Sequence, residues 1–295
     1  MDSKIPIKDI EEISKELNQL NSQFRSISNK MMAVAMDYKS YIDANIKDND
    51  IYELRDSMLY RLNAAKFHLE ILTGINTNTD LELTTSFRNI KSPNHMTGLN
   101  MHFETRVNQI SYLSDSLIFH LVSGFDYISN LVEYICGKSK KKKLMWTQLA
   151  KSVRDKNNRY HTLTIADTID QLDREFVGKL YDHRSYIIHT TKDKSAATFN
   201  IQVMQAKCET HIFSSQKFNN QFKELKSLSK DFNLTIEYVL FWLINKSVNA
   251  FVEILFSLKN YMENNKSVKM PFMIFKGPNN EMLPISGPYW KDDPL

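Results

Sequence analysis

The sequence predicts an all-α protein, a bundle of helices with a small β-hairpin inserted into it. Proline is absent between Pro93 and Pro271, and a run of that length is typical of consecutive helices because proline breaks a helix interior. Glycine is scarce, with seven in 295 residues, against a usual share of about 7%. Apolar residues recur at three- and four-residue spacing through most of the chain, which is the spacing of one helix face.

Residues 1–75 are predicted to form an amino-terminal helical hairpin. Two apolar sets have helical spacing: Ile10, Ile13, Leu17 and Leu20, then Leu54, Met58, Leu62 and Ala65. The run Asp48-Asn49-Asp50 provides side chains that cap a helix start, and Gly74 is a residue type that ends one. Residues 76–99 are rich in asparagine and threonine and include Ser92-Pro93-Asn94, so they are predicted to be a linker or loop.

Residues 100–265 are predicted to form the main bundle. Its first helix carries a long apolar stripe: Ile110, Leu113, Leu117, Leu121, Phe125, Ile128, Leu131 and Ile135. A short helix is expected around Trp146, a third from about residue 164 to Ile187, and a last long one over residues 236–258. That last window carries charged and amide side chains, which favours a buried helix over a membrane span.

Two further segments complete the expected architecture. Phe199, Ile201 and Val203 alternate with polar residues, as do Cys208, Thr210 and Ile212, and this alternation predicts the β-hairpin. Residues 266–295 form a tail that holds five of the seven prolines. Its large apolar side chains lead us to expect that part of the tail packs on the bundle.

Composition indicates a cytoplasmic protein. The formal net charge is +4, which permits an anionic partner without requiring one. Cys136 and Cys208 match no zinc or redox spacing, and two unpaired thiols suit a reducing compartment. The first residues lack the apolar core of a signal peptide. His161 and His211 lack partners at metal-ligand spacing and no glycine-rich phosphate loop is present, so neither a metal nor another cofactor is expected.

The stretch from Tyr181 to His189 is the strongest functional signal. It places Arg184 and His189 five residues apart, with Ser185 directly after the arginine. Arginine is permanently cationic and can bind two phosphate oxygens at once. Histidine is the side chain best suited to moving protons at neutral pH. Together the two residue types can cleave a phosphodiester without a metal.

This stretch resembles the Arg-x4–6-His motif of the HEPN superfamily (higher-eukaryote and prokaryote nucleotide-binding domains), in which a polar residue commonly follows the arginine. The segment from Phe119 to Tyr127 resembles the first core helix of many members. The resemblance covers about residues 100–265. It implies an up-and-down helical bundle and, in many members, a dimer whose two motif helices face each other across a cleft. Catalytic members are metal-independent ribonucleases, frequent among toxins and antiviral defence systems.

Carried over to this chain, the resemblance makes Arg184 and His189 the catalytic pair, with Ser185 in support. On a helix, positions five apart differ by about 140° and about 7.5 Å along the axis, so the two side chains do not share one stripe. Asp182, Ser185 and His189 do share a face. Ser185 could orient the imidazole or bind phosphate, and Asp182 could fix the imidazole tautomer.

Other interpretations of these residues remain open. Arg184 and His189 could be ordinary surface or ion-paired residues, and His183 is expected to be a solvent-facing neighbour. Asp126 could be a buried partner for Arg184 or an exposed edge residue. A lysine cluster could hold an RNA backbone or could be a solvated interhelical loop; its members are Lys138, Lys140, Lys141, Lys142 and Lys143.

The sequence therefore predicts a homodimeric, metal-independent endoribonuclease of an antiviral defence or toxin–antitoxin system. His189 would be the general base and acid, and Arg184 would stabilise the phosphoryl transition state. The expected partners are RNA, a second copy of the chain, and an antitoxin or defence-system protein; no membrane is expected. The alternatives are a non-catalytic HEPN-like module that binds RNA or protein, or assembles, and an unrelated helical scaffold.

Overall fold

Long helices dominate the structure, a computed structural model that describes residues 10–42, 50–89, 93–137, 143–189, 197–267, 274–276, 282–284 and 286–291. The four long helices are α1 (Ile10–Asp37), α2 (Asp50–Arg88), α3 (Pro93–Cys136) and α9 (Ile236–Asn264). The shorter ones are α4 (Trp146–Arg154), α5 (Ala166–Leu172), α6 (Gly178–His189), α7 (Gln216–Gln221) and α8 (Lys223–Leu228). Two antiparallel hairpins pair β1 (Ala197–Gln202) with β2 (Lys207–Ile212), and β3 (Ile274–Lys276) with β4 (Met282–Pro284). The predicted all-α class, with its helical amino-terminal hairpin and small β-hairpin, is confirmed.

The chain divides into two compact units, and each long helix contributes to both. Unit 1 comprises Met1–Gln19, Ala64–Phe119 and Lys179–Ile244. Unit 2 comprises Leu20–Asn63, His120–Gly178 and Asn245–Leu295. The Arg184–His189 motif and the β1–β2 hairpin therefore belong to unit 1, whereas α4 and α5 belong to unit 2.

Aromatic rings form the centre of unit 2. Phe125 stacks on Phe251 with ring centroids 4.4 Å apart, and it meets Trp146 edge-on at 5.3 Å and Phe176 at 6.3 Å. The indole Nε1 of Trp146 donates a hydrogen bond of 2.7 Å to the carboxylate of Asp173. Because all three phenylalanines lie in predicted helices, the apolar stripe of α3 fulfils the core role that its spacing indicates.

The β1–β2 hairpin packs on unit 1 through its apolar side. Cys208 is buried with Leu83 and Leu99, and Phe199 stacks on Phe103 at 5.5 Å between centroids. The strands pair in a register that places Ala197 opposite Ile212. Val203, predicted to continue the first strand, instead lies exposed in a turn.

The prediction of a loop over residues 76–99 is wrong. Helix α2 continues to Arg88, and α3 begins at Pro93, a residue type that fits the first turn of a helix. The Thr79 hydroxyl donates to the carbonyl oxygen of Ile75, one turn earlier, so this hydroxyl is satisfied inside the helix. The Asn/Thr-rich composition therefore misled the prediction, and Gly74 is an exposed residue within α2.

A π-helical turn from Asp173 to Val177 separates α5 from α6. At its end the Gly178 amide donates to the Asp173 carbonyl oxygen. A Cβ added at Gly178 would lie 2.6 Å from that oxygen, which is far closer than carbon–oxygen contacts allow. Only glycine fits this position without displacement of the turn.

Two of the helical glycines, Gly178 and Gly74, give a matched stability prediction. We expect Gly178→Ala to lower the free energy of unfolding by about 1–3 kcal/mol, the usual cost of overpacking. Gly74→Ala meets no atom within 4 Å, so we expect it to raise that free energy by about 0.5–1 kcal/mol through the helix propensity of alanine. Denaturant unfolding of both variants measures the difference. Equal effects would show that the turn does not require glycine.

Helix α9 is apolar and is mostly buried inside the protein. Within the part of the chain that the structure describes, it is the one helix long and apolar enough to cross a membrane; its most apolar window has a mean hydropathy of 1.5 and is 61% buried inside the protein. The Thr235 hydroxyl accepts a hydrogen bond of 3.3 Å from the Tyr238 amide at the start of the helix. In α3, seven of the eight stripe residues are buried and Leu113 is half-buried.

Part of the tail also packs on unit 2. Trp290 is buried, and its Nε1 donates a hydrogen bond of 2.8 Å to the carboxylate of Asp37. The Trp290 ring lies 5.4 Å from the ring of Phe256. Burial raises the pKa of Asp37 above its ordinary value, and the bond from Trp290 opposes that shift.

Candidate functional site

Helix α6 presents three polar side chains to solvent. Asp182, Ser185 and His189 are all exposed, and His189 is the last residue of the helix. Their common exposure agrees with their spacing of three and four residues, which places them on one face. An RNA strand could therefore reach all three.

Arg184 lies beside this face and is half-buried. Its guanidinium lies over the ring of Phe119, 5.6 Å from the ring centroid. Its Nε is buried and makes no hydrogen bond, and no acidic side chain among the described residues pairs with it. The ion-paired interpretation of Arg184 finds no carboxylate in the described chain.

No hydrogen bond joins Asp182, Ser185 and His189 within the described part of the chain. The proposed orientation of the imidazole by Ser185 or Asp182 therefore stays a prediction. Catalytic hydrogen bonds are often long or absent before substrate binds. The three groups are accordingly unengaged polar atoms on an open face.

The prediction that His183 faces solvent is wrong. His183 is 2% exposed, and its ring meets that of Phe218 edge-on at 4.4 Å between centroids. It lies three residues after the buried Leu180, so it continues the inward face of α6. That spacing was available in the sequence, but histidine is a polar type and was not counted as part of an apolar stripe.

His183 also borders a small cavity of about 50 Å³ inside unit 1. The cavity walls combine aliphatic side chains with hydroxyl groups and one carboxylate: Ser111, Ser114, Asp115, Ile118, Ser214, Ser215, Phe218, Ile236, Val239 and Leu240. His183 and Ser185 are two residues apart, about 200° around a helix. The cavity therefore lies behind the exposed face of α6, and His183 packs the helix from the inside.

A second cation lies next to α6 that the sequence did not reveal. Lys217, exposed on α7, places its Nζ 3.2 Å from the centroid of the Tyr186 ring. Cation–π contact holds an ammonium in place and leaves its charge available to an anion. Lys217 and Tyr186 are 31 positions apart in the sequence, so only the fold reveals that they meet.

Asp126 was predicted as a buried partner for Arg184 or as an exposed edge residue, and the structure gives it a different role. Its Oδ1 accepts a hydrogen bond of 3.0 Å from the amide of Trp146, the first residue of α4. The Asn130 side chain accepts one of 2.6 Å from the amide of Leu144 in the same way. Asp126 belongs to unit 2 and Arg184 to unit 1. Asp126 is therefore a half-buried helix cap that positions α4.

Of the predicted RNA-binding lysines, Lys143 is exposed directly before α4. Lys138, Lys140, Lys141 and Lys142 lie outside the described residues.

Over residues that the structure describes, no three histidine, cysteine, aspartate or glutamate side chains come together as a metal site requires. No protein-family model, curated protein or solved structure matches this chain. The functional interpretation consequently depends on the chemistry of α6 and its neighbours.

Proposed function

We propose that this protein is a metal-independent endoribonuclease of the HEPN type. The observation that supports the proposal most is Arg184, a half-buried guanidinium without an acidic partner in the described chain, beside an exposed face that ends in His189. A guanidinium held over Phe119 is preorganised to meet a phosphate. Lys217 adds a second cation next to the same helix.

The chemistry needs only these groups and the RNA itself. His189, as the neutral imidazole, takes the proton from a 2′-hydroxyl, and the resulting oxygen attacks the adjacent phosphorus. The bond from phosphorus to the 5′-oxygen breaks, and that oxygen is protonated by an imidazolium. The products are a 2′,3′-cyclic phosphate and a 5′-hydroxyl end. Arg184 stabilises the negative charge that grows on the non-bridging phosphoryl oxygens.

A second copy of the chain would complete the site. One α6 helix supplies one arginine and one histidine, about 140° apart around the axis. The base step and the acid step are simplest when each uses its own imidazole. Ile188, which precedes His189, is 46% exposed. A two-fold pairing of α6 helices would cover Ile188 and bring both motifs to one cleft. The dimer proposal depends on this exposed apolar side chain.

The test of the activity uses RNA and DNA of the same sequence. We expect the purified protein to cleave single-stranded RNA in the presence of EDTA and to leave the DNA intact, because the attacking group is the 2′-hydroxyl. Gel analysis of end-labelled substrates measures cleavage and identifies the cyclic phosphate ends. Tight RNA binding without cleavage would instead favour a non-catalytic HEPN-like binding module. A requirement for a divalent metal would contradict the proposed mechanism.

The dimer has its own prediction. We expect Ile188→Glu to weaken self-association and to lower RNA cleavage, because the new carboxylate would face its counterpart across the two-fold axis. Val203→Glu is the control, since Val203 is a 72% exposed aliphatic residue in the β1–β2 turn. Analytical ultracentrifugation measures association. A wild-type protein that stays monomeric at micromolar concentration while cleaving RNA would refute the shared site.

A ribonuclease without a metal requirement is active wherever RNA is present, so a cell that makes it must restrain it. We therefore place it in the cytoplasm as a defence or toxin-type protein, restrained by an antitoxin or a defence-system partner. The test is co-purification of a His189→Ala variant with the proteins encoded beside it, because the inactive variant is tolerated without restraint. Expression of the wild type without those proteins is expected to arrest growth.

A further inference from the structure

The start of α7 packs against α6 and brings a lysine to it. Phe218 is buried, and its ring meets that of His183 edge-on at 4.4 Å between centroids. Lys217, the residue before it, is exposed and places its Nζ 3.2 Å from the centroid of the Tyr186 ring. Because the buried anchor and the exposed cation are consecutive residues, the packing of Phe218 also fixes where Lys217 meets α6.

The lysine meets α6 on the side that carries His189. Tyr186 precedes His189 by three residues, which corresponds to about 60° around a helix axis and about 4.5 Å along it. Arg184 precedes His189 by five residues and lies about 140° away. Of these two cations, Lys217 is therefore the one whose contact residue shares a side of the helix with His189.

The Lys217 ammonium keeps its charge and its hydrogen-bond donors. A cation–π contact orients an ammonium without neutralising it, and an ammonium has three N–H donors and no acceptor. Within the residues that the structure describes, Lys217 makes no ion pair with a carboxylate. An oriented, exposed ammonium of this kind suits a phosphate, whose oxygens accept charge-assisted hydrogen bonds.

We propose that Lys217 binds a backbone phosphate of single-stranded RNA, the one next to the phosphate that is cleaved, and that Tyr186 positions the ammonium for it. The identity of the ligand as RNA rests on the proposed ribonuclease function. Arg184 is already assigned to the cleaved phosphate, and Tyr186 lies about one turn of α6 from His189. A strand that lies along this face with its cleaved bond at His189 therefore presents a neighbouring phosphate to Lys217.

The first experiment measures RNA binding by the full chain, with a fluorescent single-stranded RNA whose 2′-hydroxyls are methylated so that it is not cleaved. We expect Lys217→Gln to weaken binding about tenfold, since it removes a charge-assisted hydrogen bond. The slope of log affinity against log salt concentration should fall by about 0.7, the value for one phosphate of a single strand. Lys217→Arg keeps the charge and can stack on the ring, so it should lose much less affinity.

Lys223→Gln is the matched control for charge. Lys223 is exposed on α8, in the same unit, and contacts no ring or carboxylate of the described chain. We expect this variant to bind RNA as the wild type does. An equal loss of affinity in Lys223→Gln and Lys217→Gln would show diffuse attraction, and an unchanged salt slope in Lys217→Gln would show that no phosphate contact was lost. Either result would overturn the proposal.

Tyrosine variants test the positioning role. Tyr186→Leu removes the ring and should weaken binding about two- to fivefold, the contribution of an exposed cation–π contact, whereas Tyr186→Phe keeps the ring and should lose little. In a Lys217→Gln background, Tyr186→Leu should have no further effect, because the ring then positions no ammonium. An equal further loss in that background would overturn the positioning role. The Lys217 variants decide the phosphate contact even if Tyr186→Leu fails to fold.

Cleavage assays separate this proposal from the ribonuclease function. A dinucleoside monophosphate has a single phosphate, so Lys217→Gln should raise KM about tenfold more for an oligonucleotide than for this minimal substrate. A wild type that binds RNA without cleaving it would contradict the ribonuclease function, and the binding experiment would still decide the role of Lys217. A wild type that cleaves RNA while Lys217→Gln binds it normally would overturn this proposal alone. Absence of RNA binding by the wild type would overturn both.

Discussion

His189→Ala is expected to lower RNA cleavage by about 100-fold or more, the usual contribution of a general acid–base residue. The structure indicates that this substitution removes no other side-chain contact. His189 is exposed at the end of α6, and its side chain contacts no other described side chain through a hydrogen bond or ion pair. Its removal should therefore leave the free energy of unfolding unchanged. The measurement is the single-turnover rate on a labelled RNA with EDTA present.

The control for this experiment is another exposed histidine. His161→Ala removes a ring whose Nδ1 lies 2.8 Å from the carbonyl oxygen of Val153, in unit 2. We expect it to cleave at the wild-type rate. A folded His189→Ala protein with full activity would exclude His189 from the chemistry.

Arg184→Lys is expected to damage cleavage nearly as much as Arg184→Ala. An ammonium is a point charge and cannot bind two phosphoryl oxygens in parallel. The lysine ammonium is not planar, so it would also lose the contact that places the guanidinium over Phe119. Since no carboxylate of the described chain pairs with Arg184, neither change should cost much stability. Values of kcat/KM for the three proteins measure the effect.

Arg174→Lys is the matched control for that substitution. Arg174 is 68% exposed and pairs with Asp170 at 2.9 Å on the helical segment before α6, and an exposed pair of this kind contributes little. We expect it to retain wild-type activity. Phe119→Leu tests the platform itself and should give an intermediate loss. If Arg184→Lys cleaved RNA at the wild-type rate, Arg184 would supply only general positive charge.

The sequence predicted the parts of the fold that depend on local periodicity. The spacing of apolar residues located the long helices, and the alternation around Phe199 and Cys208 located the hairpin. The prediction failed over residues 76–99, where polar composition was taken as a loop signal. The partner of Asn76 is Glu237, which is 161 positions away, and no local pattern reveals such a pair. Local composition therefore could not show that α2 continues beyond Asn76.

The same distinction applies to the candidate site. Helical spacing correctly placed Asp182, Ser185 and His189 on one face. The rest depends on contacts between distant segments, such as the guanidinium over Phe119 and the ammonium over Tyr186. His183 was misplaced because residue type outweighed its position on the inward stripe.

The two cysteines have a practical consequence for testing whether the motif helices pair. Cys136 and Cys208 are both buried, and burial raises the pKa of each thiol. Maleimide and methanethiosulfonate reagents are attacked by thiolates, so both native cysteines should react slowly. A single Ser185→Cys substitution on the exposed face of α6 can then carry a spin label or fluorophore in an otherwise native chain. In a two-fold assembly, two such labels report one distance across the cleft.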